Sequence, residues 1–176
     1  MCIFETTKIR LIYGMSEIQI RPIEKADNLH VESVIRSVFM ELELPLIGTA
    51  YADPETAQMY ESYSKDRAVY FVVEQSGKII GGAGISPLKN YNSEVCELQK
   101  MYSLPIMRGR GLGQKLLDTC LNAAKSRGFR SCYLETIPSL EAAVNLYVRN
   151  GFYAVDAQLG ATGHHSCGLW MIKQLQ

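Results

Sequence analysis

Three glycines at alternate positions, Gly109, Gly111 and Gly113, lie in a stretch from Leu98 to Leu117. That stretch also carries Lys100, Arg108, Arg110 and Lys115 and contains no acid. A strand-like run precedes the glycines and an amphipathic helical run follows them. A glycine turn feeding a helix start presents backbone N–H groups without intrahelical acceptors, and the helix dipole adds partial positive charge at the same place. This is a phosphate cradle. The formal charge of the whole chain is zero, so the local surplus points to a polyanionic ligand rather than to a generally basic surface.

Spacing excludes two common phosphate binders. A P-loop needs Gly-x-x-x-x-Gly-Lys followed by Ser or Thr; here Gly109 and Gly113 are too close, and Leu116 follows Lys115 where the magnesium-binding hydroxyl belongs. A dinucleotide fingerprint needs Gly-x-Gly-x-x-Gly, and counting from Gly109 and Gly111 puts Gln114 at the third glycine. A second dense cluster, Gly163-His164-His165-Ser166-Cys167-Gly168-Leu169-Trp170, contains metal-ligand residue types, but adjacent histidines lack ligand spacing. A Cys-His nucleophile there lacks an evident orienting acid. No metal is expected.

The elements that must position these residues follow from periodicity. At 176 residues, 47% apolar and 20% charged, the chain fits one soluble globular domain. Residues 1–14 read as an N-terminal extension, either a start-site artefact or an extra edge strand, ahead of a domain spanning 15–176. No signal peptide or membrane span is expected, and five cysteines without a C-x-x-C pair suit reduced, mostly buried thiols. Together these imply a cytoplasmic protein that binds neither nucleic acid nor membrane. Strands are predicted at 17–21, 69–74, 78–85, 94–104, 132–136, 152–156 and 169–173. Helices are predicted from Asp27 to about Phe39, from Asp53 to about Tyr63, from Gly111 to Arg127, and from Pro138-Ser139 to Asn150. The fold class is α/β, with a mixed, mostly antiparallel sheet of six to seven strands flanked by about four helices. Within 94–104 the alternation slips at Lys100, where an apolar residue is due, which predicts a β-bulge.

Arg108-Gly109-Arg110-Gly111-Leu112-Gly113 fits Arg-x-x-Gly-x-Gly. Leu98-Gln99-Lys100-Met101-Tyr102 precedes it, and Ala143-Val144-Asn145-Leu146-Tyr147-Val148-Arg149-Asn150-Gly151-Phe152 lies one strand and one helix downstream. In these motifs and in element order from 17 to about 158, the chain resembles the GNAT superfamily of acetyl-CoA-dependent N-acetyltransferases. The resemblance implies a GNAT-like fold with splayed central strands. It implies that acetyl-CoA lies with its pyrophosphate on the Arg108, Gly109, Arg110, Gly111, Leu112, Gly113 and Gln114 turn, and with its pantetheine arm along Met101, Tyr102 and Ser103. It places Tyr147 as general acid to the departing thiolate and Glu97 as the base. Relatives often carry Asn three residues before the alanine of the second motif; this chain has Leu140, which leaves Asn145 as the replacement contact to the arm.

The implied activity is transfer of acetyl from acetyl-CoA to a primary amine of a small molecule by direct attack, in a monomer or homodimer. A peptide or protein amine as acceptor, and a non-catalytic acyl-CoA sensor, are the alternatives. The acceptor side is expected to involve residues 41–63, whose Glu41, Glu43, Asp53, Glu55 and Glu61 favour a cation, and the 163–168 loop, where His164 or His165 would touch the acceptor.

Overall fold

The computed structural model describes residues 9–13, 16–163 and 166–175. The elements are β1 (Ile9–Tyr13), β2 (Ser16–Pro22), α1 (Asn28–Glu41), α2 (Met59–Tyr63), β3 (Val69–Gln75), β4 (Lys78–Pro87), β5 (Val95–Ser103), α3 (Leu112–Ser126), β6 (Ser131–Thr136), α4 (Glu141–Arg149), β7 (Tyr153–Val155) and β8 (Leu169–Gln174). One sheet runs in the order β1-β2-β3-β4-β5-β6-β8-β7. Its eighth strand, β1, comes from the 1–14 segment and pairs antiparallel with β2 from Ile9↔Ile20 to Tyr13↔Ser16; residues 1–8, 14 and 15 lie outside the described residues.

Every neighbouring pair is antiparallel except β5–β6. The exception follows from connectivity, because α3 bridges β5 and β6 and a helical crossover returns the chain in the same direction. The apolar stripe of α3 (Leu112, Leu116, Leu117, Cys120, Leu121, Ala124) packs with Cys96, Leu98, Cys132 and Leu134 on one face of the sheet. Each fully buried leucine there contributes on the order of 2 kcal/mol. Val31, Ile35 and Phe39 of α1, with Met59 and Tyr63 of α2, cover Tyr70 and Val72 on the other face. The β3–β4 hairpin turns on Ser76 (φ +50°) and Gly77 (φ +77°), the paired left-handed conformation that suits a two-residue loop.

Two helix starts differ from expectation. Asp27 precedes α1 but does not cap it with its side chain. Its carboxylate instead accepts from Arg21 Nη1 and Nη2 at 2.7 and 2.9 Å and from the Glu24 amide at 2.8 Å, closing the capping box of the short turn before α1. Ser139 is likewise not the cap of α4, which begins after Leu140 without a side-chain hydrogen bond.

Candidate active site

The expected bulge is present in β5. Gly82 pairs with Tyr102 and Gly84 with Gln99, so Lys100 and Met101 together oppose Ala83. Lys100 takes φ +49°, a left-handed conformation that a non-glycine residue holds only when its surroundings enforce it. The enforcement is visible. Tyr70 reaches across from β3 and donates its hydroxyl to Lys100 O at 2.9 Å, satisfying the carbonyl that the bulge removes from the ladder. Its ring crosses β4 at Gly82, where a Cβ would come within 2.6 Å of Tyr70 Cε1.

The parallel ladder with β6 stops at Leu98↔Leu134, while β5 continues to Ser103. Leu104 N donates to Ile80 O at 2.9 Å, so by alternation Tyr102 and Leu104 turn their backbone polar groups to β4. Met101 and Ser103 turn theirs to the opposite edge. The central strands are therefore splayed, with one strand edge facing the gap.

At the end of that edge stands the start of α3. Gly111 (φ +71°) caps the helix without a side-chain hydrogen bond, and no acid occupies the first turn. The first intrahelical bond there is Lys115 N to Gly111 O at 3.2 Å, which leaves the amides of Leu112, Gly113 and Gln114 without helical acceptors. Gln114 and Asn150 exchange side-chain amide hydrogen bonds at 2.7 and 2.9 Å and so lock this helix start to the end of α4.

A cavity of about 840 Å3 joins these features. Its lining includes Glu97, Met101, Tyr102, Ser103, Arg108, Gly109, Gly111, Gly113, Gln114 and Tyr147. Glu97 is only 3% exposed, so it is a buried carboxylate in the cavity wall rather than a solvated strand acid. Tyr147 is buried, packs its ring edge-on against Phe152 at 5.8 Å, and has its hydroxyl's acidity suppressed by burial. It therefore remains a protonated donor well above neutral pH.

Two side chains of the turn and one of α4 lie away from the cavity wall. Arg110 points away from the cavity, donating to Gln75 Oε1 at 3.0 Å and Ile106 O at 3.1 Å. Leu112 is buried in the α3 core. Each of these two offers the turn a main-chain N–H and no side-chain contact. Asn145 is exposed and outside the cavity wall. His164 and His165 fall outside the described residues.

The acids of the 41–63 segment are largely committed to partners. Glu41 accepts both Nη atoms of Arg108 at 2.6 and 2.8 Å, and Arg108 also donates to Ser103 O at 2.9 Å. The Arg108 bonds hold the Glu41 carboxyl below its ordinary range. Asp53 pairs with Lys100 Nζ at 2.5 Å, and Glu61 accepts from Asn28 and pairs with Lys25. Leu42, Leu44, Thr49 and Ala50 line the cavity instead.

A family model described as Acetyltransferase (GNAT) family matches residues 36–152, which is two thirds of the chain and includes Glu97, the glycine turn and Tyr147. The chain belongs to the GNAT family. It is an acetyl-CoA-dependent acyltransferase. The uncharacterized N-acetyltransferase YjgM of Escherichia coli K12 is 42% identical over 156 residues, covering 88% of this chain and 93% of that protein. A GNAT-family acetyltransferase from Staphylococcus aureus Mu50 superposes with a TM-score of 0.81 at 20% identity, over 90% of this chain and 99% of that one. YncA from Salmonella typhimurium, a structure that holds acetyl-CoA as its cofactor, superposes with a TM-score of 0.72 at 23% identity, covering 90% and 94%. The GNAT site here fits such a donor on its own geometry: uncapped amides suit a diphosphate, and an open strand edge suits an amide-bearing arm.

Two residues of the cavity wall, Gln99 and Glu135, carry no role in the sequence reading. Lys100 also lines the wall, and Tyr63 hydrogen-bonds to Gln99. Glu135 accepts from Tyr133 Oη at 2.8 Å, Gln158 Nε2 at 3.0 Å and Thr162 Oγ1 at 2.9 Å. Strand alternation puts Glu135 on the same sheet face as Tyr133, the register partner of Glu97, so the signal was readable once the β5–β6 register was known.

Proposed function

We propose that the chain moves acetyl from acetyl-CoA to a primary amine of a small molecule by direct attack of the amine. The observation that carries this reading is the shared wall: Glu97 and Tyr147 face one cavity at the point where β5 leaves β6, and that cavity reaches the uncapped start of α3.

Acetyl-CoA, when bound, supplies the activated acyl group; the remaining work falls to the chain's own residues. The amides of Gly109 to Gln114 hold the diphosphate end. The outward edge of Met101 and Ser103 aligns the arm, and an N–H near Met101 or Tyr102 polarises the carbonyl oxygen. Glu97 takes the proton of an ammonium acceptor, directly or through one water. The Tyr147 hydroxyl gives a proton to the departing sulfur, and its suppressed acidity keeps that proton in place.

Cys167 also lines the cavity, but burial pushes its thiol up to about 11. The thiol therefore stays protonated at neutral pH, which supports direct attack over an acyl-enzyme route. The size of the acceptor is limited by a loop contact: Ser166 donates its hydroxyl to Ile47 O at 2.9 Å, tying the start of the chain leading to β8 to the 42–50 loop. This supports a compact amine over an extended peptide.

Thiol release from acetyl-CoA, followed across amino acids, polyamines, aminoglycosides and peptides, tests the reading. Turnover confined to small amines is expected. Turnover on peptides alone would overturn the acceptor assignment, and CoA binding without turnover on any amine would leave a sensor.

A further inference from the structure

Two side chains stand in series behind Glu97: Gln99, half-buried in the cavity wall, and Tyr63, buried beyond it. Gln99 Nε2 donates to Glu97 Oε2 at 2.6 Å, and Tyr63 Oη donates to Gln99 Oε1 at 2.9 Å. The direction of both bonds is forced. An ionised carboxylate only accepts, so Gln99 must turn its NH2 toward Glu97 and its oxygen away, and only a donor can meet that oxygen. Tyr63 is 7% exposed, and burial keeps its hydroxyl protonated, so the donor is always available.

The seat of Tyr63 is equally specific. Its ring lies over β4 at Gly84, where a Cβ would meet Tyr63 Cε1 at 2.7 Å and Tyr70 Cδ2 at 2.7 Å. The two rings stand 5.1 Å apart, tilted by 51°. Gly84 has no left-handed backbone to explain it; what it provides is room for the tyrosine. Gly82 does the same for Tyr70, whose hydroxyl holds the bulge at Lys100. The glycines of β4 are therefore a bed on which two tyrosines lie, each ending on a different part of β5.

We infer that Tyr63, seated on Gly84, is a positioning residue for the acetyl transfer: through Gln99 it orients Glu97 and favours its ionised form. This rests on the reading of Glu97 as the base. It also gives α2, the end of the 41–63 segment expected on the acceptor side, a second role: it fixes the proton acceptor. The other titratable or charged groups around Glu97 among the described residues are Tyr133 and Glu135 on β6, Cys167 ahead of β8, and Lys100 with its partner Asp53; none of these changes in the variants below.

The test compares pH profiles of kcat/KM for the amine in Glu97→Gln, Tyr63→Phe, Gln99→Leu and the Tyr63→Phe/Gln99→Leu double variant. Tyr63→Phe loosens a donor to the carboxylate, so the acidic limb should move to higher pH, by up to about one unit for one hydrogen bond to a charged group. Turnover should fall about 3- to 10-fold while the acetyl-CoA KM stays unchanged. Because the two residues act in series, the double variant should be no worse than Gln99→Leu alone. Gln99→Leu leaves the packing of Tyr63 intact and reads the same limb even if Tyr63→Phe folds poorly. A limb abolished by Glu97→Gln but unmoved by Tyr63→Phe and Gln99→Leu overturns this inference and leaves Glu97 as base. Independent, multiplying effects in the double variant overturn it too. A limb that survives Glu97→Gln removes the base and the inference together.

Discussion

Gly111→Ala, read against Gly128→Ala, separates the cost of a backbone conformation from the cost of a lost anion site. Both glycines have left-handed backbone, at φ +71° and +76°, and a Cβ at either would meet nothing within 4 Å. They flank the two ends of α3, whose 15 residues span about 22 Å, so only Gly111 borders the cavity. Placing alanine in the left-handed region costs about 1–2 kcal/mol, and each variant should lose a few degrees of Tm, at about 2–4 °C per kcal/mol for a chain of this size. Coenzyme binding should divide them. The space open at Gly111 is where the diphosphate is proposed to lie, and losing one hydrogen bond to a charged group there costs about 1.5–3 kcal/mol, or about 10- to 100-fold in Kd. Calorimetric titration with CoA, alongside thermal melts with and without it, measures both quantities. Equal CoA affinity in Gly111→Ala and Gly128→Ala would refute the placement of the diphosphate on this turn.

Other perturbations follow from the same geometry. Tyr147→Phe should lower kcat by about 100-fold with little change in the acetyl-CoA KM, measured by thiol release. Asp53→Asn should destabilise the fold more than Lys100→Met in denaturant melts. The Lys100 side chain is 3% exposed and Asp53 26%, so removing the acid strands a buried charge whereas removing the lysine leaves an acid that water can reach. Glu41→Gln should tighten acetyl-CoA binding several-fold by freeing Arg108 and removing an anion beside the cradle. The Glu41 carboxyl is held low by Arg108, so the Glu41–Arg108 pair is fully formed above the ordinary carboxylate pKa and is lost only as pH falls through the lowered one. The difference between Glu41→Gln and the parent should therefore vanish in acid and in high salt.

The alternating glycines after Met107, the amphipathic stripe of α3 and the slip at Lys100 were legible from sequence alone. Each is local: a turn needing left-handed backbone, a 3.6-residue period, and a broken two-residue period. The paired motifs carried the family for the same reason, since each is a short contiguous run at an element's end. What tertiary structure decided was which side chains face the gap and what they face. Asn145 and Arg110 sit in the right motifs yet point elsewhere, because a helix turns 100° per residue and a guanidinium takes the nearest carbonyl. Glu135, Gln99 and Tyr63 carry no local signal; they meet because β5 and β6 run in parallel register and then part, and because bare backbone at Gly84 lets a ring from α2 lie across the sheet. Those relations join residues 36 positions apart, a distance at which periodicity says nothing and only packing can choose.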